Sequence, residues 1–187
     1  MYNSHMRKEV EVKAKVSDFG KVKQGLIQMG CAFSDPIIQD DMTFVDSSYG
    51  PYDEFQPGKN ILRIRKNDGK YIFTIKQPQR NEMDVIERET EISDPEEFKE
   101  ALLLMGYKQM VEIHKTRVKT KYKDYEICLD EVKDLGSFTE VEKITEEENT
   151  EEIQRQLFEF LTSLGVDPKD QVFNGYDTLI YLKNKST

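Results

Sequence analysis

Two short stretches of the sequence each carry a pair of glutamates separated by one residue. Glu9 and Glu11 lie in EVEVK near the start of the chain, and Glu140 and Glu142 lie in EVEK toward its end. Alternate residues of a β-strand project from the same face, so each pair presents two carboxylates together. Because Mg²⁺ and Mn²⁺ prefer oxygen ligands, two such pairs that face one another could hold a divalent metal ion.

Basic residues recur at the same strand-like spacing. They are Lys13, Arg63, Arg65, Lys76, Lys115 and Arg117. Arginine offers a planar fork that binds phosphate through two hydrogen bonds, and six positive charges suit a triphosphate. Any one alternating strand, taken alone, is more typical of a solvated sheet face. The acidic and basic strands together favour a polar interior that binds a metal ion and a polyanion. Lys119 and Lys121, which continue the alternation, are expected at a solvated hairpin end.

The charged residues fall within predicted strands that are joined by recognisable turns. Strands are predicted over about 8–16, 39–46, 61–66, 71–77, 85–92, 112–122, 125–132 and 137–144. Asp68-Gly69 and Lys123-Asp124 mark two hairpins. Helices are predicted over about 18–29, 95–105 and 151–164, with Ser17 as the N-cap of the first and a glycine after each. An exposed loop is expected at 47–60, and residues 175–182 are expected to close the fold.

This order of elements predicts the fold class. Many antiparallel strands linked by hairpins indicate a β-barrel or tunnel, and the interspersed helices are expected to pack outside it. The length of 187 residues suits one α+β domain with a substantial core. Residues 1–7 are expected to form an N-terminal tail, part of which resembles a cloning remnant.

Composition excludes several classes of function. The net charge of −9 argues against general nucleic-acid binding, although not against binding of one small anion. Cys31 and Cys128 form neither a disulfide framework nor a zinc motif, and they fit a reducing cytoplasm. No apolar run is long enough to predict a membrane span. Phosphate-binding loops and dinucleotide fingerprints are absent from the sequence, and His114 is expected to face away from the basic residues.

Taken in order, the charged motifs resemble the CYTH domain, the family of triphosphate tunnel metalloenzymes. The motifs are EVEVK, LRIR, TIK, RETE, KTR, LDEVKDLG and EVE, and the resemblance spans residues 8–182, which leaves 183–187 as a C-terminal tail. Each motif is weak alone, whereas the ordered set is specific. IIQDDMTF, TIKQP and LDEVKDLGSFTEVE are most similar to the class IV adenylate cyclase branch, although Phe44 stands where that branch often has tyrosine.

The resemblance implies an eight-stranded antiparallel tunnel with charged side chains inside. The implied ligands of Mg²⁺ or Mn²⁺ are Glu9, Glu11, Glu140 and Glu142, with Asp130 assisting. The implied triphosphate ligands are the six basic residues named above, among which Lys13, Lys76 and Arg117 would have catalytic roles. The central RETE element supplies three further residues that could line the tunnel, namely Arg88, Glu89 and Glu91.

The resemblance leaves three functions open. Conversion of ATP to cyclic AMP and pyrophosphate is favoured by the similarity to the cyclase branch. Hydrolysis of inorganic, thiamine or nucleoside triphosphate uses the same site, and a fold does not fix a reaction. A non-catalytic module that binds polyphosphate or nucleotide is the third, and the presence of both glutamate pairs disfavours it. The resemblance also implies a cytoplasmic enzyme whose substrate is a nucleoside or inorganic triphosphate. Neither a membrane nor a nucleic acid is expected as a binding partner. A homodimer is one option for its assembly.

Overall fold

The computed structural model describes residues 8–50 and 54–186, and the following elements lie within them. The strands are Lys8–Lys15 (β1), Ile37–Asp46 (β2), Ile61–Asn67 (β3), Lys70–Pro78 (β4), Asp84–Ile92 (β5), Tyr107–Tyr122 (β6), Tyr125–Val132 (β7), Gly136–Thr145 (β8) and Gln171–Val172 (β9). The α-helices are Gly20–Gln28 (α1), Pro95–Leu104 (α2), Thr150–Ser163 (α3) and Tyr176–Lys185 (α4). The proposed tail 1–7, the middle of loop 47–60 and Thr187 lie outside the described residues.

The first eight strands form a closed antiparallel barrel, which confirms the predicted α+β fold with helices outside. Around the barrel the order is β5-β4-β3-β2-β6-β7-β8-β1, and β1 returns to β5 through the pairing of Glu9 with Val85. The short strand β9 adds to β1 beyond this closure. Closure pairs the edge strands that an open sheet would expose. None of the helices in the described residues is long and apolar enough to cross a membrane.

The barrel turns its apolar side outward and its charged side inward. Val10, Val12 and Ala14 of β1 are buried on the outer face, where they pack against Leu157 and Leu161 of α3. A second outer cluster packs α2 against β2 and β3, and it contains Phe44, Leu62, Ile64 and Leu102. Because successive strand residues alternate between faces, burying these side chains under the helices directs the intervening charged residues into the interior.

Helix α4 covers one end of the interior. There the inward-facing side chains of β6, β7 and β8 change from charged to apolar, and Tyr176 of α4 packs among them with its ring 5.2 Å from that of Phe138. The residues with which Tyr176 clusters are Val111, Ile113, Val132 and Phe138. The expectation that residues 175–182 close the fold therefore corresponds to a helix across one end of the barrel.

Two boundaries differ from the sequence prediction for identifiable reasons. Ser17 is not the N-cap of α1: the helix begins at Gly20, and the Asp18 carboxylate accepts a hydrogen bond from the Gly20 backbone N–H at 2.6 Å. Strand β6 begins at Tyr107 instead of residue 112, because its pairing with β2 continues as far as Asp46 opposite Tyr107. Long-range pairing thus extends a strand through a segment whose alternation is poor.

Truncation of a buried side chain of α3 provides a test of how this helix packs against the barrel. Leu157 is fully buried against β1, so Leu157→Ala should lower the free energy of unfolding by about 2–5 kcal/mol, measured by denaturant titration. The matched control is Leu104→Ala at the end of α2, where the side chain is 89% exposed and the change should stay within about 0.5 kcal/mol. Equal effects at the two positions would contradict the described packing of α3.

Candidate functional site

The inner faces of the strands enclose a cavity of about 190 Å³, which has room for on the order of ten water molecules. Of the described residues, seven basic and nine acidic side chains line it. The basic ones are Lys13, Arg63, Arg65, Lys76, Lys115, Arg117 and Lys119, and the acidic ones are Glu9, Glu11, Asp41, Glu82, Glu87, Glu89, Glu140, Glu142 and Asp177. The six basic residues and four paired glutamates singled out in the sequence therefore share one cavity.

Three of the paired glutamates converge. Glu11 on β1 stands directly opposite Glu142 on β8, and carboxylate oxygens of Glu9, Glu11 and Glu142 lie within 4.8 Å of one another. Burial and repulsion from Glu9 and Glu11 raise the pKa of Glu142 to about 9. Burial and repulsion from Glu140 raise the pKa of Glu11 to about 7. Like charges opposed in this way repel one another, and a cation among the three carboxylates would remove that repulsion.

Glu140 has a different environment from its neighbour Glu142. Its Oε1 lies 3.2 Å from Nζ of Lys13, and its Oε2 accepts a hydrogen bond from Arg117. Burial opposes ionisation, but Arg117 and Lys13 outweigh it and hold the pKa of Glu140 well below its usual range. The structure therefore brings together three of the four paired glutamates and places the fourth in ion pairs with two predicted triphosphate ligands.

Asp130, predicted to assist the metal, is fully buried beside basic residues. Nε of Arg117 donates to Oδ1 of Asp130 at 2.7 Å, and the Tyr176 hydroxyl donates to Oδ2 at 2.9 Å. Nζ of Lys115 lies 3.5 Å from the same Oδ2. Burial opposes ionisation, yet Lys115 and Arg117 lower the pKa of Asp130. In this arrangement Asp130 orients Arg117 and does not join the three-glutamate cluster.

Arg65 and Lys115 continue the basic side of the cavity. Nε and Nη2 of Arg65 each donate to the Asp41 carboxylate at 2.7 Å, in the two-bond geometry that fixes a guanidinium. Burial and the neighbouring Arg117 lower the pKa of Lys115 to about 8. Asp41 was not singled out in the sequence. The available signal was its position between Gln39 and Thr43, which places three polar residues on one face of the predicted strand 39–46.

Lys76 and Arg63 meet a second carboxylate that sequence reasoning missed. Nζ of Lys76 lies 2.6 Å from Oε2 of Glu87, and Nη2 of Arg63 lies 3.3 Å from Oε1 of Glu87 and 3.1 Å from Glu89. Burial opposes ionisation, but Lys76 and Arg63 lower the pKa of Glu87 to about 2. Nε of Arg63 is buried and has no hydrogen-bond partner among the described residues. Because Arg63 lines the cavity, this unsatisfied nitrogen is a candidate donor to an anionic ligand.

Of the three RETE residues expected to line the cavity, only Glu89 does so. Glu89 lines the cavity, whereas Arg88 projects to the other face of β5 and donates to the backbone carbonyl of Glu87. Glu91 is exposed and pairs with Lys70 at 2.9 Å. Arg88 and Glu91 therefore lie outside the cavity, because strand alternation turns Arg88 outward and Glu91 lies beyond the enclosed part of the strand. The same alternation puts Glu87 beside Glu89, which is the signal that could have revealed it.

Lys119 differs from the expectation of a solvated hairpin end. It lines the cavity and pairs with Glu126 on β7, whereas Lys121 is exposed. His114 lies on the outer face with Nδ1 2.8 Å from Asp40, away from the cavity.

Comparisons with known proteins agree with this architecture. The family model described as CYTH domain matches residues 7–176. A Methanocaldococcus jannaschii protein named putative adenylate cyclase is 30% identical over 173 residues, which cover 90% of this chain and 95% of that protein. A solved Pyrococcus horikoshii structure has a TM-score of 0.77 and 28% identity, covering 94% of this chain and 99% of its own. A Hippeastrum protein, described as a putative adenylyl cyclase with dominant triphosphatase activity, shares the fold with a TM-score of 0.60 and 20% identity over 91% of each chain.

Removal of the Asp130 charge tests its role as the partner of Arg117. Asp130→Asn leaves buried Arg117 and Lys115 with less compensation, so the free energy of unfolding should fall by about 3 kcal/mol. The control is Asp40→Asn on the outer face, where the partner is His114 and the change should be within about 0.5 kcal/mol. A denaturant titration in which Asp130→Asn is as stable as the control would contradict this role.

The three-glutamate cluster predicts how stability depends on pH in chelator-treated protein. A raised carboxyl pKa means that the folded state binds more protons than the unfolded state, so stability falls as pH rises between about 4.5 and about 9. Glu142→Gln removes this titration. The stability of the unaltered chain relative to Glu142→Gln should therefore fall by on the order of 2 kcal/mol from about pH 5 to about pH 8.

Thermal or denaturant unfolding of both proteins across this pH range provides the measurement. Lys115 titrates in both proteins, so its contribution cancels in the difference. Parallel pH profiles would show that Glu142 does not experience the repulsion described.

Proposed function

This chain belongs to the CYTH domain family, and from that premise we propose that it is a divalent-metal-dependent enzyme that acts on triphosphate compounds inside its barrel. The observation that carries the proposal is the uneven charge balance of the cavity. Glu9, Glu11 and Glu142 converge on β1 and β8, while basic side chains project from β3, β4 and β6. Such a lining complements a divalent cation bound to a polyphosphate.

The donor set at the three-glutamate cluster fits Mg²⁺ or Mn²⁺. Glu9, Glu11 and Glu142 offer only carboxylate oxygens, and these lie close enough together to share one ion. Glu140, also a proposed ligand, would share its oxygens with Lys13 and Arg117. When bound, the ion would neutralise charge on the phosphate oxygens during the reaction.

The basic residues are fixed in position by carboxylates before any substrate arrives. Arg65 and Arg117 each use Nε and Nη2 on an aspartate, which leaves the Nη1 donors of each guanidinium for phosphate. The unpartnered Nε of Arg63 is a further donor. A polyanion would also favour the charged form of Lys115, whose pKa burial and Arg117 lower to about 8. Donors held in place in this way favour phosphoryl transfer through positioning and electrostatic stabilisation.

Conversion of ATP to cyclic AMP and pyrophosphate is the reaction that we favour. Its support is the similarity to the Methanocaldococcus jannaschii protein named putative adenylate cyclase. In this reaction the ribose 3′-hydroxyl attacks the α-phosphorus, and pyrophosphate leaves. Lys13, Lys76 and Arg117 would hold the phosphates and balance the charge on the leaving pyrophosphate.

Triphosphate hydrolysis is the second candidate, and the composition of the cavity supports it. Tyr176 is the one aromatic residue among the described lining residues, and its hydroxyl is engaged with Asp130 while Lys13 lies 4.0 Å from its ring centroid. The described lining therefore offers no free aromatic surface for a nucleobase. The activity described for the Hippeastrum protein is of this kind. A non-catalytic binding role, a homodimer and a cytoplasmic location stay predictions.

Product analysis decides between these reactions. The purified chain would be incubated with Mg²⁺ or Mn²⁺ and either ATP or inorganic triphosphate. Cyclic AMP with pyrophosphate is the expected result with ATP. Orthophosphate without cyclic product would instead support the triphosphatase. Binding of ATP without turnover under all conditions would contradict both reactions and favour the binding module.

Glu142→Gln should reduce turnover of the preferred substrate by at least about 100-fold while the protein remains folded, because it removes one of three convergent carboxylates. The control is Glu112→Gln, which removes an exposed carboxylate from the outer face of β6 and should leave turnover unchanged. Full activity in Glu142→Gln would contradict the proposed metal site.

A further inference from the structure

A second group of metal-ligating side chains lies beside the three-glutamate cluster, on the inner face of β7. Glu126 and Cys128 are two residues apart on this strand, and they stand opposite Glu142 and Glu140 of β8. Sγ of Cys128 and one carboxylate oxygen from each of Glu126 and Glu142 all lie within 4.8 Å of one another. Glu142 therefore belongs to both groups.

The environment of Cys128 is unusual for a structural cysteine. The residue is 0% exposed, and within residues 8–50 and 54–186 its thiol has no hydrogen-bond partner. Buried thiols usually pack as small apolar groups, yet Cys128 belongs to none of the three apolar clusters found in that part of the chain. Carboxylate oxygens of Glu126 and Glu142 lie within 4.8 Å of its Sγ, and in the sheet Cys128 stands between Lys119 of β6 and Glu140 of β8. The thiol is thus a buried and unpartnered group that is directed at two carboxylates.

A positive charge already lies at the edge of this group. Nζ of Lys119 is paired with Oε1 of Glu126, and the Lys119 side chain is 36% exposed, so it can withdraw to solvent. The other nearby cation, Arg117, is held by Asp130 and Glu140 and is not free to pair with Glu126. An incoming metal ion would therefore replace the Lys119 ammonium and would not have to displace a buried guanidinium.

We propose that Glu126, Cys128 and Glu142 form a second cation site, selective for Zn²⁺ over Mg²⁺. Zn²⁺ accepts thiolate and carboxylate ligands, whereas Mg²⁺ takes oxygen ligands only. Three protein ligands leave the fourth position of a zinc tetrahedron open to water or to a phosphate oxygen. Binding releases the thiol proton to solvent and frees Lys119 from Glu126.

The shared Glu142 makes the two cation sites antagonistic. An ion bound through Cys128 takes up a carboxylate that the Mg²⁺ or Mn²⁺ of the proposed function also needs. This consequence rests on the proposed function, whereas the binding of Zn²⁺ itself does not. Zn²⁺ is then an inhibitor whose effect excess Mn²⁺ relieves.

Titration with Cd²⁺, a softer analogue of Zn²⁺, tests the site without any substrate. Cd²⁺ bound to thiolate has an ultraviolet charge-transfer band, and this band should rise to one equivalent in Cys31→Ser, which retains Cys128. Adding Cys128→Ser to that variant should abolish the band and weaken Cd²⁺ binding by at least about tenfold. A band that persists without Cys128, or that never appears in Cys31→Ser, would overturn the proposal.

Two further variants keep the test decisive if Cys128→Ser folds poorly. Glu126→Gln should weaken Cd²⁺ binding while the charge-transfer band remains at saturation. Lys119→Met should tighten binding by up to about fivefold, because it removes the competing ammonium. Lys66→Met, at an exposed lysine of β3, is the matched control and should change nothing. Unaltered affinity in Glu126→Gln would refute the site, and unaltered affinity in Lys119→Met would refute the exchange with Lys119.

Cd²⁺ titration without substrate separates this inference from the proposed function, and competition with Mn²⁺ tests the sharing of Glu142. Excess Mn²⁺ should raise the apparent dissociation constant of Cd²⁺, with no substrate present. A Cd²⁺ affinity that does not depend on Mn²⁺ would refute the sharing of Glu142. Because the titration does not use catalysis, a chain that binds Cd²⁺ through Cys128 but turns over no triphosphate would contradict the proposed function alone.

Discussion

Ionised side chains that a closed sheet encloses must be balanced by opposite charge at close range, since a cavity of about 190 Å³ is too small to hold a full hydration shell around each of them. The chain that runs from Asp130 through Arg117 and Glu140 to Lys13 meets this requirement across β7, β6, β8 and β1. Removing any one member leaves its neighbours in the network with less compensating charge. The interior of the barrel is therefore held by a network of ion pairs, while the helices supply apolar packing on the outside.

The requirement is met unevenly, and the exceptions indicate where ligands belong. Glu11 stands opposite Glu142 on the neighbouring strand, and Lys115 and Arg117 share one aspartate, Asp130. The first arrangement has too much negative charge and the second has too much positive charge. A divalent cation and a polyanion would correct both together. The uneven distribution of charge in the cavity therefore supports the proposed chemistry more strongly than the identity of any single residue does.

Carboxylates of the same type in the same cavity have separate roles because their neighbours differ. Glu140 and Glu142 are two residues apart on one strand, yet the pKa of the first is well below its usual range and that of the second is raised to about 9. Arg117 and Lys13 hold Glu140 ionised, whereas burial and the carboxylates of Glu9 and Glu11 oppose ionisation of Glu142. Glu142 is consequently the group with most to gain from a metal ion, and both proposed cation sites converge on it.

The sequence alone determined the local features of this protein: which residues share a strand face, where the hairpins turn, and an ordered set of motifs that resembles one family. Strand alternation and turn chemistry are local, so they can be read from neighbouring residues. Alternation cannot decide which partner a side chain meets. That Glu11 stands opposite Glu142, that Asp130 holds Arg117, and that Tyr176 covers one end follow from barrel closure and register between segments distant in the chain. Only the tertiary structure fixed those pairings, because no local sequence signal specifies register across a closed sheet.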